Sequence, residues 1–111
     1  MALSARLRIL TSDPECGIPM RVVVEVGHAP KDRLTVCIAL PRGGKCRFSY
    51  AGGSREYCRN RQSRSVERTS FRFYPTVFCD KPGVVRTMLT ATATNQKGQS
   101  ATDTKEVRIT C

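Results

Sequence analysis

The chain reads as an all-β protein: two antiparallel sheets of about seven strands in total, packed face to face and braced by disulfides. Three observations predict this. Apolar residues recur at every second position along most of the chain, no stretch carries a helical period, and six cysteines are spread through only 111 residues.

The length is typical of one domain, so residues 1–111 are expected to share a single core. An apolar content of 40% with 25% charge excludes a fully disordered chain. No apolar run approaches the ~20 residues of a helical bilayer crossing. Residues 1–6 lack the basic segment, apolar stretch and small-residue cleavage site of a signal peptide. Because the cysteines still favour export, the expected start is a domain boundary behind an added initiator Met1.

Leu7 and Ile9 alternate with Arg6 and Arg8 in a first strand, which ends at Ser12-Asp13-Pro14. Met20, Val22, Val24 and Val26 share one face of a second strand, and residues 27–32 break it. In a third strand Leu34, Val36, Ile38 and Leu40 face inward and Thr35, Cys37 and Ala39 outward, up to the turn at Pro41-Arg42-Gly43-Gly44. Over residues 45–68 the alternation weakens. A short edge strand is expected at Arg47-Phe48-Ser49-Tyr50, a turn at Ala51-Gly52-Gly53-Ser54, and a flexible, protease-sensitive loop over residues 59–65.

Strand character returns over residues 70–78 through Phe71, Phe73 and Val77, with a bulge or edge position at Pro75, which lacks a backbone donor. After a turn at residues 79–83, Val85, Thr87, Leu89, Ala91 and Ala93 line one face of a long strand. This strand turns at Asn95-Gln96-Lys97-Gly98 and returns through Val107 and Ile109 as a hairpin.

Cys16, Cys37, Cys46, Cys58, Cys79 and Cys111 are even in number and widely spaced. Two ligands that wrap one zinc ion lie two to four residues apart, and no such pair exists here, nor does a redox CxxC. A disulfide framework in an oxidising compartment follows, each bridge over some 20 residues stabilising by ~3 kcal/mol through restriction of the unfolded chain. The expected location is therefore secreted or extracytoplasmic, at a cell surface or in a periplasm.

The run Leu89-Thr90-Ala91-Thr92-Ala93-Thr94-Asn95-Gln96-Lys97-Gly98, with the alternating strand after Ser100, resembles the last hairpin of immunoglobulin-like modules of the bacterial Ig-like and PKD-like type. About a quarter of the chain carries this resemblance specifically, and the rest only by strand count. Antibody-type domains place a Tyr and a Cys on this strand and bridge the sheets across a Trp. Here those positions hold Leu89 and Ala91 and the chain has no Trp, so the cysteines must be used elsewhere. The strand directions implied by the resemblance bring Cys16, Cys46, Cys79 and Cys111 to one end, where two bridges fit. They leave outward-facing Cys37 for Cys58.

Catalytic constellations are sparse, and a non-enzyme without cofactor is expected. His28 is the only imidazole, in a loop signal, and reads as an ordinary exposed loop residue. The nine carboxylates are scattered, mostly beside Arg or Lys, and read as salt-bridged surface groups. No calcium-loop spacing or P-loop occurs.

The concentrated feature is basic. The net charge is +10, and residues 42–72 hold nine basic side chains against Glu56 and Glu67, a net of +7. They are Arg42, Lys45, Arg47, Arg55, Arg59, Arg61, Arg64, Arg68 and Arg72. A guanidinium fork matches sulfate, phosphate or carboxylate in two-point contact. Phe48, Tyr50, Tyr57 and Tyr74 are interleaved and offer faces for a sugar or base. Three readings of the segment stand open: solubility or protection of a sheet edge, a site for an anionic polymer such as a glycan or nucleic acid, and a contact with an acidic protein.

The expected function is a non-catalytic extracellular binding or structural module, as in an adhesin or cell-wall protein. The alternative is a free-standing secreted effector or inhibitor stabilised by its disulfides. On the polymer reading, replacing Arg59, Arg61 and Arg64 by Ser should weaken binding without lowering thermal stability.

Overall fold

The computed structural model describes residues 2–49, 55–64 and 66–111. Met1, Tyr50, the turn expected at Ala51-Gly52-Gly53-Ser54, and Ser65 lie outside the described residues. All regular structure among the rest is β: β1 (Ser4–Ile9), β2 (Val22–Gly27), β3 (Arg33–Ala39), β4 (Cys46–Phe48), β5 (Glu56–Gln62), β6 (Arg68–Phe73), β7 (Val77–Cys79), β8 (Val84–Asn95) and β9 (Ser100–Thr110). A three-stranded sheet runs β1-β2-β6, a four-stranded sheet runs β5-β3-β8-β9, and β4 pairs with β7. Every strand pairing is antiparallel.

The two larger sheets each bury one face in a common core. Leu7, Val22, Val24, Val26, Phe71 and Phe73 come from the first; Leu34, Val36, Ile38, Leu89, Ala91, Ala93, Val107 and Ile109 come from the second. Phe48 and Val77 of the small sheet close one end. Each Val, Leu, Ile or Phe among them gains roughly 1.5–3 kcal/mol on leaving water, so the period-two pattern of the sequence is the main determinant of which faces meet. Val85 and Thr87, expected to face inward, are only half-buried where β8 runs beyond the core.

The expectation of about seven strands falls short of the nine described, for two reasons. Residues 70–78 are not one strand: Pro75 cannot extend the ladder, and the chain breaks into β6 and β7 around Tyr74 and Pro75. The carbonyls left free are used, Pro75 O accepting from Met20 N at 2.9 Å and Thr76 O from Ser49 N at 2.7 Å. The second reason is β5, in which every side chain is exposed, so that no apolar alternation announces it. Its residues 59–62, expected to be a loop, belong to the ladder with β3.

The disulfides are Cys16–Cys111, Cys37–Cys58 and Cys46–Cys79. Two of them join residues directly opposite each other, Cys37 with Cys58 across β3 and β5, and Cys46 with Cys79 across β4 and β7. The sulfurs of Cys16, Cys79 and Cys111 lie within 4.8 Å of one another, so two bridges do share one end of the molecule. Beside them Cys16 N donates to Thr110 O and Thr110 N to Pro14 O, which lays the segment before Cys16 parallel to the end of β9.

At the opposite end the β8–β9 turn reverses through Gly98 at φ 78°, a conformation glycine adopts without cost. The Asn95 Oδ1 accepts from the backbone N–H groups of Lys97 and Gln99, each at 3.1 Å. Asp32 fastens this turn to the β2–β3 loop. Its carboxylate accepts from Gln96 Nε2 at 3.0 Å, Ala29 N at 3.2 Å and Asn95 Nδ2 at 3.4 Å. The Gln96 amide is the leading cause of an Asp32 pKa below the ordinary aspartate value. Burial opposes the shift, while Asn95, the Ala29 N–H and the Lys97 charge add to it.

His28 is the clearest departure from expectation. It is fully buried at the end of β2, not an exposed loop residue. Its Nδ1 donates to Ala29 O at 2.7 Å, since a carbonyl can only accept, and Nε2 bonds Thr69 Oγ1 at 2.7 Å. Thr69 lies on β6, so the imidazole ties the β2–β3 loop to the neighbouring strand.

Candidate anion-binding seam

The site begins with the register of β5. Tyr57, Arg59 and Arg61 stand opposite Ile38, Val36 and Leu34, so they point to the same side of their sheet as those buried residues, toward the other sheet. Cys58 and Asn60 take the outer side, where Asn60 Oδ1 accepts from Thr35 Oγ1 at 2.7 Å. The inward row therefore meets β6, the exposed edge of the three-stranded sheet. Tyr57 packs edge-to-face on Phe73 with ring centres 5.7 Å apart, and the Arg61 guanidinium lies 5.2 Å from the centre of the Phe71 ring. Arg59 donates to the backbone carbonyl of Arg72, and Arg61 approaches that of Ser70 at 3.5 Å.

These contacts join the two sheets along one side. The carbonyls of β6 that face away from β2 would otherwise stand ready to pair with another chain, and arginines directed inward from a neighbouring edge answer that exposure. Arg59 and Arg61 thus lie against the β6 edge with their guanidinium groups directed at its carbonyls. Neither spends all five of its donors in this way.

Five of the nine basic residues expected to form a patch lie along this seam: Arg59, Arg61, Arg64, Arg68 and Arg72. Two clefts flank it. One, of about 320 Å³, is lined by Tyr57, Arg59, Arg72, Phe73 and Tyr74 with Ser49, Pro75 and Thr76. The other, of about 530 Å³, is lined by Arg61, Ser63, Arg64 and Arg68 with Gln62, Val66, Thr69 and Ser70. The side chains of Arg64 and Arg68 are exposed and find no partner among the described residues. Of the interleaved aromatics, Tyr57 and Tyr74 reach the first cleft. Phe48 is fully buried in the core and offers no face.

The remaining four lie away from the seam, around the β3–β4 turn. Arg47 is paired with Asp80 at 3.0 Å, and Arg55 donates to Gly44 O at 3.0 Å. Arg42 is exposed in the turn itself. Lys45 lies against Lys81 and lines an open depression with it and Arg86. Contact with Lys81, first as a hydrogen-bonding partner and then as a like charge, holds the Lys45 ammonium below the ordinary lysine range. Sequence reading passed over Lys81 and Arg86. The one pointer to Lys81 was the Cys46–Cys79 bridge, which brings Asp80 N to Lys45 O at 2.8 Å.

The carboxylates are not uniformly salt-bridged. Arg8–Glu25 and Arg47–Asp80 are ion pairs, whereas Asp32 bonds amides and Asp103 accepts a hydrogen bond from the Leu7 backbone N–H at 2.7 Å. Among the described residues no helix is long and apolar enough to cross a membrane.

Fold and site together define an antiparallel all-β protein, stapled by three disulfides, with arginines gathered where two sheet edges meet. No protein-family model and no curated protein matches the sequence. Among solved structures the chain is similar in fold to Spo0M, a sporulation control protein from Bacillus subtilis, at 14% identity and a TM-score of 0.60. The match covers 100% of this chain and 50% of that one, so the chain spans half the length of that neighbour.

Proposed function

We propose that the chain is an immunoglobulin-like binding module of an extracytoplasmic protein, and that it engages an anionic polymer along the β5–β6 seam. The observation that carries the reading is the alignment of Arg59, Arg61, Arg64, Arg68 and Arg72 between two clefts, one of them flanked by Tyr57 and Tyr74. A strand of seven residues extends over roughly 20 Å, which suits a chain-like ligand contacted at several points. Guanidinium groups supply paired donors to sulfate or phosphate, and tyrosine rings supply a face for a sugar.

The sheet orders β1-β2-β6 and β5-β3-β8-β9 support an immunoglobulin-like arrangement, since sequential strands cross between sheets and return beside earlier ones. Three disulfides support an oxidising compartment, where acidic glycans are the abundant polyanions. An anionic glycan is therefore favoured over nucleic acid.

Heparin-affinity chromatography tests the proposal. Retention should fall steeply with salt, because neutralised anionic groups release counterions, and replacing Arg64, Arg68 and Arg72 together by Ser should bring elution to markedly lower salt. Absence of retention near physiological salt excludes the polyanion reading. Stronger retention on single-stranded DNA than on heparin at equal salt moves the ligand from glycan to nucleic acid.

A further inference from the structure

Ser63 lines the larger cleft of the seam, and its hydroxyl, buried behind the cleft wall, is left unsatisfied by the described residues. Ser63, immediately after β5, is only 5% exposed, and its Oγ is buried without a hydrogen-bond partner among the described residues. Buried hydroxyls in folded proteins are nearly always paired, with protein, with water or with a bound group. Around this one the cleft is lined by the guanidinium-bearing Arg61, Arg64 and Arg68 and by Thr69 and Ser70, with no acidic residue among the described lining.

The frame of the cleft is held independently of any ligand. Ser63 N donates to Asp32 O at 2.9 Å and Lys31 N to Arg64 O at 2.9 Å, which anchors residues 63 and 64 to the β2–β3 loop. That loop is held in turn by the Asp32 carboxylate and the His28 ring. Thr69 presents its hydroxyl to His28, fixing the opposite wall. Arg61, Arg64 and Arg68 thus line one cleft on a fixed frame with no carboxylate among its lining, an arrangement favourable around an anion.

We infer that this cleft is a discrete subsite for one tetrahedral oxyanion, a sulfate or phosphate group of the polymer, with Arg61, Arg64 and Arg68 compensating its charge and the buried Ser63 hydroxyl turning toward the cleft to donate to one oxygen. The inference rests on the polyanion reading above and narrows it to one group at one place. A sulfate or phosphate oxygen accepts from both guanidinium and hydroxyl donors, whereas an ammonium-bearing or neutral sugar does not satisfy three arginines.

The test is a titration of the full chain with sodium sulfate and, separately, sodium phosphate at constant ionic strength, followed by amide and arginine side-chain chemical shifts. Both salts should produce saturable shifts at Ser63, Arg64, Arg68 and Thr69 that chloride does not. Ser63→Ala should weaken that binding about tenfold while leaving the melting temperature unchanged or raised, because it deletes an unpaired hydroxyl. Arg68→Gln should abolish saturation. Shifts that are linear in salt, or an unaltered affinity in Ser63→Ala, overturn the subsite and leave the hydroxyl as the holder of a buried water.

The two proposals fail separately. Heparin retention without saturable sulfate or phosphate shifts removes the subsite and keeps the seam. Saturable shifts without heparin retention keep the subsite and remove the polymer. Tighter binding of sulfate than phosphate identifies a sulfated chain as the source of the group, and the reverse order a phosphate-bearing one.

Discussion

Arg61 stands directly opposite Leu34 in the β3–β5 ladder, and its guanidinium reaches into the other sheet to lie 5.2 Å from the centre of the Phe71 ring. A residue that reads in the sequence as part of a solvated basic run is thereby a link between two sheets. The opposite side of the molecule has a counterpart, in which Asp103 of β9 receives the backbone N–H of Leu7 in β1. Acceptors on one side and donors on the other are each matched to what the facing strand edge leaves free.

The expectation that Ser at Arg59, Arg61 and Arg64 leaves stability untouched is therefore replaced for the first two: Arg61→Ser should destabilise the fold by about 1–2 kcal/mol, the sum of a cation–π contact and an edge hydrogen bond, with Arg59→Ser costing somewhat less. Arg64→Ser and Arg68→Ser should stay within about 0.5 kcal/mol of the parent. Urea denaturation of the four variants measures the difference. Equal stabilities across the set refute the bridging role of Arg61.

Asp103→Ala removes the acceptor for Leu7 N and should cost about 1–3 kcal/mol, since a partly buried N–H is left unpaired. Asp103→Asn retains a side-chain oxygen and should recover most of that loss. Amide hydrogen exchange at Leu7 provides a local readout: faster in Asp103→Ala, near parental in Asp103→Asn.

His28→Ala should be among the most destabilising single substitutions in the chain, at roughly 2–4 kcal/mol. It opens a cavity and strips partners from Ala29 O and Thr69 Oγ1 together. Thermal unfolding monitored by circular dichroism checks it, and a change of less than about 0.5 kcal/mol would show that the imidazole bonds are dispensable.

Asp32 sets an acid limit. Its pKa is lower in the folded chain than the ordinary aspartate value, so its stabilisation is complete above the unfolded value and is lost as pH falls through the folded one. Stability should thus decline from about pH 4 downward, and Asp32→Asn should flatten that part of the profile while lowering the plateau above it. Parallel acid limbs in parent and Asp32→Asn would assign the decline to other carboxylates.

How much of this was legible in the sequence differs from strand to strand. Alternation in Val22-Val23-Val24-Glu25-Val26 and in Leu34-Thr35-Val36-Cys37-Ile38 is a local signal: neighbours two residues apart share a face, and burial of that face is enough to specify a strand. The β8–β9 hairpin is equally plain from its turn residues. No such signal exists in Glu56–Gln62, because an edge strand with polar groups on both faces has no preferred side until a partner supplies one. The candidate site suffered most, since it lies on that strand.

By itself, then, the sequence determined an all-β chain, an even set of cysteines suited to bridging, and a concentration of arginine between residues 42 and 72. Only the tertiary structure divided those arginines, turning Arg59 and Arg61 onto β6, leaving Arg64 and Arg68 without a side-chain partner among the described residues in the cleft that Ser63 also lines, and sending Arg47 to Asp80. It also took His28 and Asp32 out of solvent. The physical reason is range: periodicity is written by adjacent residues, whereas the partner of Arg61 on Phe71 or of Asp103 on Leu7 is chosen by which sheet edges happen to face each other once the core has closed.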